Sequence, residues 1–193
     1  MTILLLGLIL FLGIHTVAIV APGWRLRQVA LRGEGPWKGL YSIVATVGLV
    51  ALIYGYGLAR RDPVVLYSPP TFLRHVTLLL MVPVFPLLFA AYLPGRIARA
   101  AKHPMLLAVK IWATAHLLAN GTLPDVLLFG AFLAWAVADR ISLKRRPAAL
   151  AHEAPAAPAK PYNDLLVVIG GLIVYVAFLT FLHRWLIGVS PLG

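Results

Sequence analysis

Cysteine is absent from this 193-residue chain, and acidic side chains are scarce, with six Asp and Glu against seventeen Lys and Arg. Without thiols there is no disulfide, no thiolate nucleophile, no iron–sulfur cluster and no cysteine-ligated zinc. No paired carboxylates sit inside an apolar segment, as a proton or ion path across a membrane would use. No serine–histidine–carboxylate set is readable either. Charge as a whole is thin at 12% of residues, against about a quarter in a soluble domain.

What is present is apolar side chain, 61% of the residues, with a mean hydropathy of +0.90. This composition specifies an all-α, polytopic transmembrane helix bundle. A span needs about 20 mainly apolar residues. Six segments qualify: Thr2–Ala21, Gly39–Ala59, Arg74–Leu93, Pro104–Ala119, Leu123–Ile141 and Asp164–Ile187. The first is too long for the apolar stretch of a signal peptide and reads as a retained helix. The fourth is short. Asn120-Gly121 with Pro124 marks a tight turn, which predicts a hairpin of the fourth and fifth helices. Pro83 and Pro86 predict a kink in the third, and Tyr54-Gly55-Tyr56-Gly57 predicts a close helix approach in the second.

Twelve Lys and Arg lie in the first, third and fifth loops and four lie on the other side. The positive-inside rule then places both termini on the non-cytoplasmic side. The net charge of +11 is spent in these short loops, beside membrane lipid, and does not point to nucleic acid. The Ala/Pro-rich stretch 147–163, which holds His152, predicts an extended cytoplasmic linker. The expected organisation is a five-helix core (1–146), the linker, and a loosely tethered sixth helix (164–193).

Five of the six histidines lie in these spans or at their ends. Non-haem iron and zinc sites usually include a carboxylate or thiolate. Haem in a helix bundle needs one or two imidazoles and an apolar slot, so haem b is the cofactor the residue types suit. Depth restricts the pairing. His103 and His116 are about 20 Å apart along one helix, too far for one iron. His116 and His75 match best in depth, and His15 lies near the middle of the first helix. The candidate iron ligands are therefore His15, His75 and His116. Trp112 and Asn120 share the face of His116, four residues either way, while Lys110 shares a face with His103. Lys110 needs an anionic partner, either Asp139 or a haem propionate. Each residue also has a structural reading. His103, His75 and His183 suit the membrane interface, and His15 and His116 suit an interhelical hydrogen bond.

Four stretches then occur in order: LGIHTVAIVAPGWR (Leu12–Arg25), GEGPWKGLYSIVATVG (Gly33–Gly48), KHPMLLAVKIWATAHLLANGTLPDVLLFG (Lys102–Gly130) and FLAWAVADRISLKRR (Phe132–Arg146). Together they resemble the NnrU family of bacterial membrane proteins, over essentially the whole chain. The resemblance implies the bacterial inner membrane and an association with nitrite and nitric oxide reductases. It also implies a relation to plant zeta-carotene isomerase, a haem b membrane enzyme. His15 stands where that isomerase carries one haem ligand. The isomerase's other ligand lies on the helix matching Val126–Arg140, which has no histidine here. The second ligand would then be His116 or His75, or be missing, and isomerase activity is affected more than haem binding.

A rival resemblance is Lys102-His103-Pro104, which looks distantly like the Arg-His-Pro segment of isoprenylcysteine-type methyltransferases that bind S-adenosylmethionine. The glycine expected after it is replaced by Ala108, and no glutamate occurs between Glu34 and Glu153. Three functions are therefore distinguished. The first is a haem b protein acting on a small gas or lipophilic molecule by isomerase or redox chemistry. The second is a non-catalytic assembly or maintenance factor for the reductases. The third is the methyltransferase. An iron-free protein that retains reductase components marks the second, and tight S-adenosylmethionine binding marks the third.

Overall fold

The computed structural model describes residues 1–145 and 159–193. Among these residues the elements are all helical, with one isolated bridge, Val65 opposite Thr122, and no strand. In chain order they are α1 (Thr2–Val20), α2 (Pro22–Arg32), α3 (Glu34–Ala59), α4 (Phe72–Met81), α5 (Val84–Ala90), α6 (Arg96–Ala101), α7 (Pro104–Ala119), α8 (Leu123–Arg145), α9 (Asn163–Ala177) and α10 (His183–Ile187). A π-helical turn, Phe178–Leu182, joins the last two.

Five stretches are long and apolar enough to cross a membrane: α1, α3, Phe72–Ala90, α8 and Asn163–Ile187. Helix α7 has the expected bounds, but its 16 residues extend only about 24 Å, against a hydrocarbon core of about 30 Å. Two loops of the sequence reading contain helices. The first holds α2, which starts at Pro22 because a missing N–H costs nothing in the first turn. The third holds α6. The Ala/Pro-rich stretch lies outside the described residues as far as residue 158, and His152 with it.

The chain forms two compact units, with boundaries after Leu66 and after Gly121. Helices α1, α2, α3 and α8 make one unit, and the remaining elements make the other. The predicted partners α7 and α8 thus belong to different units.

In the first unit α1 and α3 meet backbone to backbone. A Cβ on Gly48 would lie 2.6 Å from the Phe11 nitrogen. One on Gly7 would collide with the Leu52 backbone, and one on Gly55 with that of Leu4. Small residues allow this approach, and in lipid such packing replaces the hydrophobic drive. Gly55 is the glycine that matters in the Tyr-Gly-Tyr-Gly stretch, since a Cβ on Gly57 would meet open space.

In the second unit the expected proline kink interrupts the helical ladder at Val82 and Pro83, both of which keep αR backbone. The Val82 N–H bonds Leu79 O, and a new helix starts beyond Pro83, whose carbonyl receives the Leu87 N–H. Tyr175 on α9 donates to the Leu78 carbonyl at 3.0 Å, beside the break. Gly171 of α9 packs against the Pro86 backbone, and Phe178 stacks on Phe85 at 4.9 Å. At the other end, Asn163 Nδ2 donates to Pro94 O (2.7 Å), and the Asp164 carboxylate accepts the Arg96 and Ile97 N–H groups (3.0 and 3.1 Å) at the start of α6. These contacts hold α9 near each of its ends.

Gly7→Val is expected to lower the stability of the detergent-solubilised protein by about 1–3 kcal/mol through overpacking. Gly57→Ala is expected to leave it unchanged or slightly raised. Thermal unfolding followed by size-exclusion monodispersity checks the pair.

Candidate functional site

His15 is the best-furnished of the candidate residues. Its Nδ1 lies 2.6 Å from the Phe11 carbonyl, one turn back on α1. A carbonyl only accepts, so Nδ1 carries the proton and Nε2 presents its lone pair in the neutral ring. Among the described residues Nε2 has no hydrogen-bond partner. Aromatic rings from all three long helices of the unit surround the imidazole. Phe11 is at 4.4 Å, Tyr41 of α3 at 5.2 Å edge-on, and Trp135 of α8 at 5.9 Å and nearly perpendicular. Phe132 extends the wall, 5.7 Å from Phe11. The Trp135 Nε1 is buried and lacks an acceptor among the described residues. An orphaned N–H of this kind costs about 1–3 kcal/mol unless something accepts from it.

The residue types, one imidazole in an apolar surround, are those a haem ligand uses. The Phe11 carbonyl fixes the ring and its tautomer, as the outer partner of a metal-bound histidine does, and the walls are apolar. No group of three or more ligating side chains exists among the described residues.

The other candidate ligands are in the second unit. His116 repeats the arrangement of His15, with Nδ1 2.9 Å from Trp112 O and the two rings 5.4 Å apart. Asn120 Nδ2 donates to the His116 carbonyl at 2.9 Å, so Trp112, His116 and Asn120 form the row their spacing predicts. Tyr67 closes the end of this helix, its hydroxyl reaching the Leu117 and Asn120 carbonyls. Thr77 of α4 donates to Ala115 O at 2.8 Å. His75, two residues earlier, is exposed and makes no hydrogen bond or ring contact among the described residues. Lys110 is half-buried and makes no ion pair among them, and Asp139 belongs to the first unit.

His103 caps α7 ahead of Pro104. It follows a strained turn. Lys102 has φ 60° and ψ −48°, and the His103 N–H closes back on Ala101 O at 2.7 Å. This is the rare γ-turn geometry, which costs about 1–3 kcal/mol in a non-glycine residue. His183 Nδ1 lies 2.7 Å from Val189 O, beyond the end of α10.

Sequence reasoning missed a second cluster in the first unit. Asp125, 6% exposed, receives the Tyr56 hydroxyl (2.6 Å), the Thr122 hydroxyl (2.5 Å) and the Thr122 N–H (3.1 Å). Arg60 lies 5.3 Å above the Tyr56 ring. Thr-Leu-Pro-Asp before an apolar run is a capping-box signature, and that signal was there to be read. Asp125→Ala is expected to cost about 2–3 kcal/mol, because it strands two half-buried hydroxyls and an N–H that now bond a carboxylate. Asp125→Asn is expected to lose less, since its amide oxygen still accepts. Detergent melting curves of the two variants check the ranking.

Comparison with curated proteins and with solved structures gave no significant match. The family profile described as NnrU protein matches residues 3–191. On that near-complete match, this multi-pass-type helical chain belongs to the NnrU family.

Proposed function

We propose that this NnrU-family chain is a bacterial inner-membrane protein that binds haem b, with His15 Nε2 as the iron ligand, and that it serves nitrite and nitric oxide metabolism alongside the reductase components. One observation carries the haem reading. A carbonyl-anchored imidazole presents an unpartnered Nε2 within an aromatic nest. The link to denitrification rests on the family resemblance alone.

Bound haem supplies redox and ligand-binding chemistry towards a small gas or lipophilic molecule, and an isomerase use is the alternative. The chain's own residues do the rest. Phe11 O orients His15, Tyr41 and Trp135 keep water from the ring, and the Trp135 N–H is placed to donate to an oxygen of whatever occupies the nest. His75, His103, Lys110, Trp112, His116 and Asn120 belong to the second unit, where His116 is the alternative candidate ligand. With α7 counted as a sixth crossing, the charge distribution puts both termini on the non-cytoplasmic side.

The test is a visible spectrum and a haem assay of protein purified in detergent after expression with ample haem. A Soret band at near-stoichiometric haem is expected. His15→Ala is expected to abolish it and His183→Ala to leave it unchanged. Loss from His116→Ala but not from His15→Ala would move the site to α7. A protein that stays colourless after reconstitution would sink the haem reading and leave the histidines as helix-stabilising groups of an assembly factor.

A further inference from the structure

Helix α2 is unlike the other helices of its unit. It is 11 residues long, PGWRLRQVALR, holds Arg25, Arg27 and Arg32, and has no acidic side chain and no fully buried residue. Its inner side is clear. Leu26 and Val29 are half-buried, as are Arg25 and Gln28; Trp24 starts from the opposite side of the helix, where its ring meets the buried Trp37 of α3 edge to face at 5.7 Å. The outer side is not that of a helix turned to water. Trp24 is 49% exposed and Leu31 74% exposed. Seven residues separate them, so at 3.6 residues per turn they lie about 20° apart, on one line. Arg27 flanks that line on one side, about 50° away; Gln28 flanks it on the other, with Arg32 and the half-buried Arg25 about 90° and 110° round the helix.

None of the three arginines has a carboxylate within ion-pair distance among the described residues. The neighbouring Glu34 pairs with Lys38 at 2.9 Å. The helix also begins two residues after the end of α1, a membrane-length span. It therefore starts at the depth where hydrocarbon gives way to headgroups. An aromatic and a leucine among arginines, at that depth, is the pattern of a helix lying in the interface. The apolar line dips toward the acyl chains and the arginines reach the phosphates.

We propose that α2 is a membrane-surface helix whose Trp24–Leu31 line inserts into the bilayer interface and whose three arginines bind the headgroups of anionic phospholipids. The occupant is lipid rather than a second copy or a protein partner. Guanidinium without an internal counter-charge matches phosphate by bidentate hydrogen bonding, and the surface is supplied by the bilayer the spans already require. This inference does not depend on haem.

The absence of native cysteine makes the test direct. A nitroxide is placed at Leu31→Cys in the full-length protein, reconstituted in nanodiscs of neutral phosphatidylcholine and of phosphatidylcholine with phosphatidylglycerol. Its depth is read from the ratio of oxygen to nickel-chelate accessibility. A label at Ile53→Cys, exposed on α3, confirms that the protein is inserted, and Gln28→Cys is the second position if the Leu31 variant fails to fold. Higher oxygen than nickel accessibility at position 31 is expected, with an inward shift when the anionic lipid is added. The triple variant Arg25→Gln, Arg27→Gln, Arg32→Gln is expected to lose that shift. A label that reads as water-exposed in both lipids, as insensitive to anionic lipid, or as shielded from both probes by a second chain would overturn the proposal.

Discussion

The first unit depends on one contact, the backbone approach of α1 and α3 at Gly7, Gly48 and Gly55. Side chains on lipid-facing helices gain little by leaving lipid, so a bundle in a membrane is held by fit. Here the glycines bring two long helices within reach of each other's backbones. The consequence reaches His15. Phe11, whose nitrogen faces Gly48, is one turn before His15 and supplies both its carbonyl partner and its nearest ring. The α1–α3 separation thus sets where Tyr41 meets the imidazole. A wider separation would open the nest to lipid.

The second unit is held by hydrogen bonds at helix irregularities. The break at Pro83 disturbs the ladder around Leu78, and Tyr175 donates to that carbonyl. The start of α6 leaves N–H groups without intrahelical partners, and Asp164 accepts two of them from a helix 67 residues away in sequence. Asn163 acts in the opposite sense, donating from Nδ2 to the Pro94 carbonyl. In a low-dielectric surround each such bond replaces an unsatisfied group and ties distant segments together.

The sequence reading succeeded where one segment carried the whole signal. The bounds of α7 came from Pro104 and the Asn120-Gly121 turn, and the proline pair located the break in the third span. It failed where the signal was shared. Asp164 reads as a first-turn acid of its own helix, yet its hydrogen bonds go to α6. Gly7 and Gly48 show nothing by spacing, because each opposes a different helix. Helix α2 was hidden by its arginines, which count toward topology before they count toward amphipathicity. Of the candidate site, the imidazole of His15 was legible, but the ring of partners was not, since Tyr41 and Trp135 come from positions 26 and 120 residues away. The row of Trp112, His116 and Asn120 was legible because helical spacing alone defines it.

Each unit is assembled from pieces that the other interrupts. Helices α1 to α3 leave the ribosome first, but their fourth partner, α8, follows only after α4 to α7 have been made. Until Trp135 arrives, His15 has Phe11 and Tyr41 beside it and nothing on the α8 side. During synthesis the nest is therefore an open half-site facing lipid, and it closes only when insertion is nearly complete. The order of translation thus makes the complete aromatic wall a late product of synthesis.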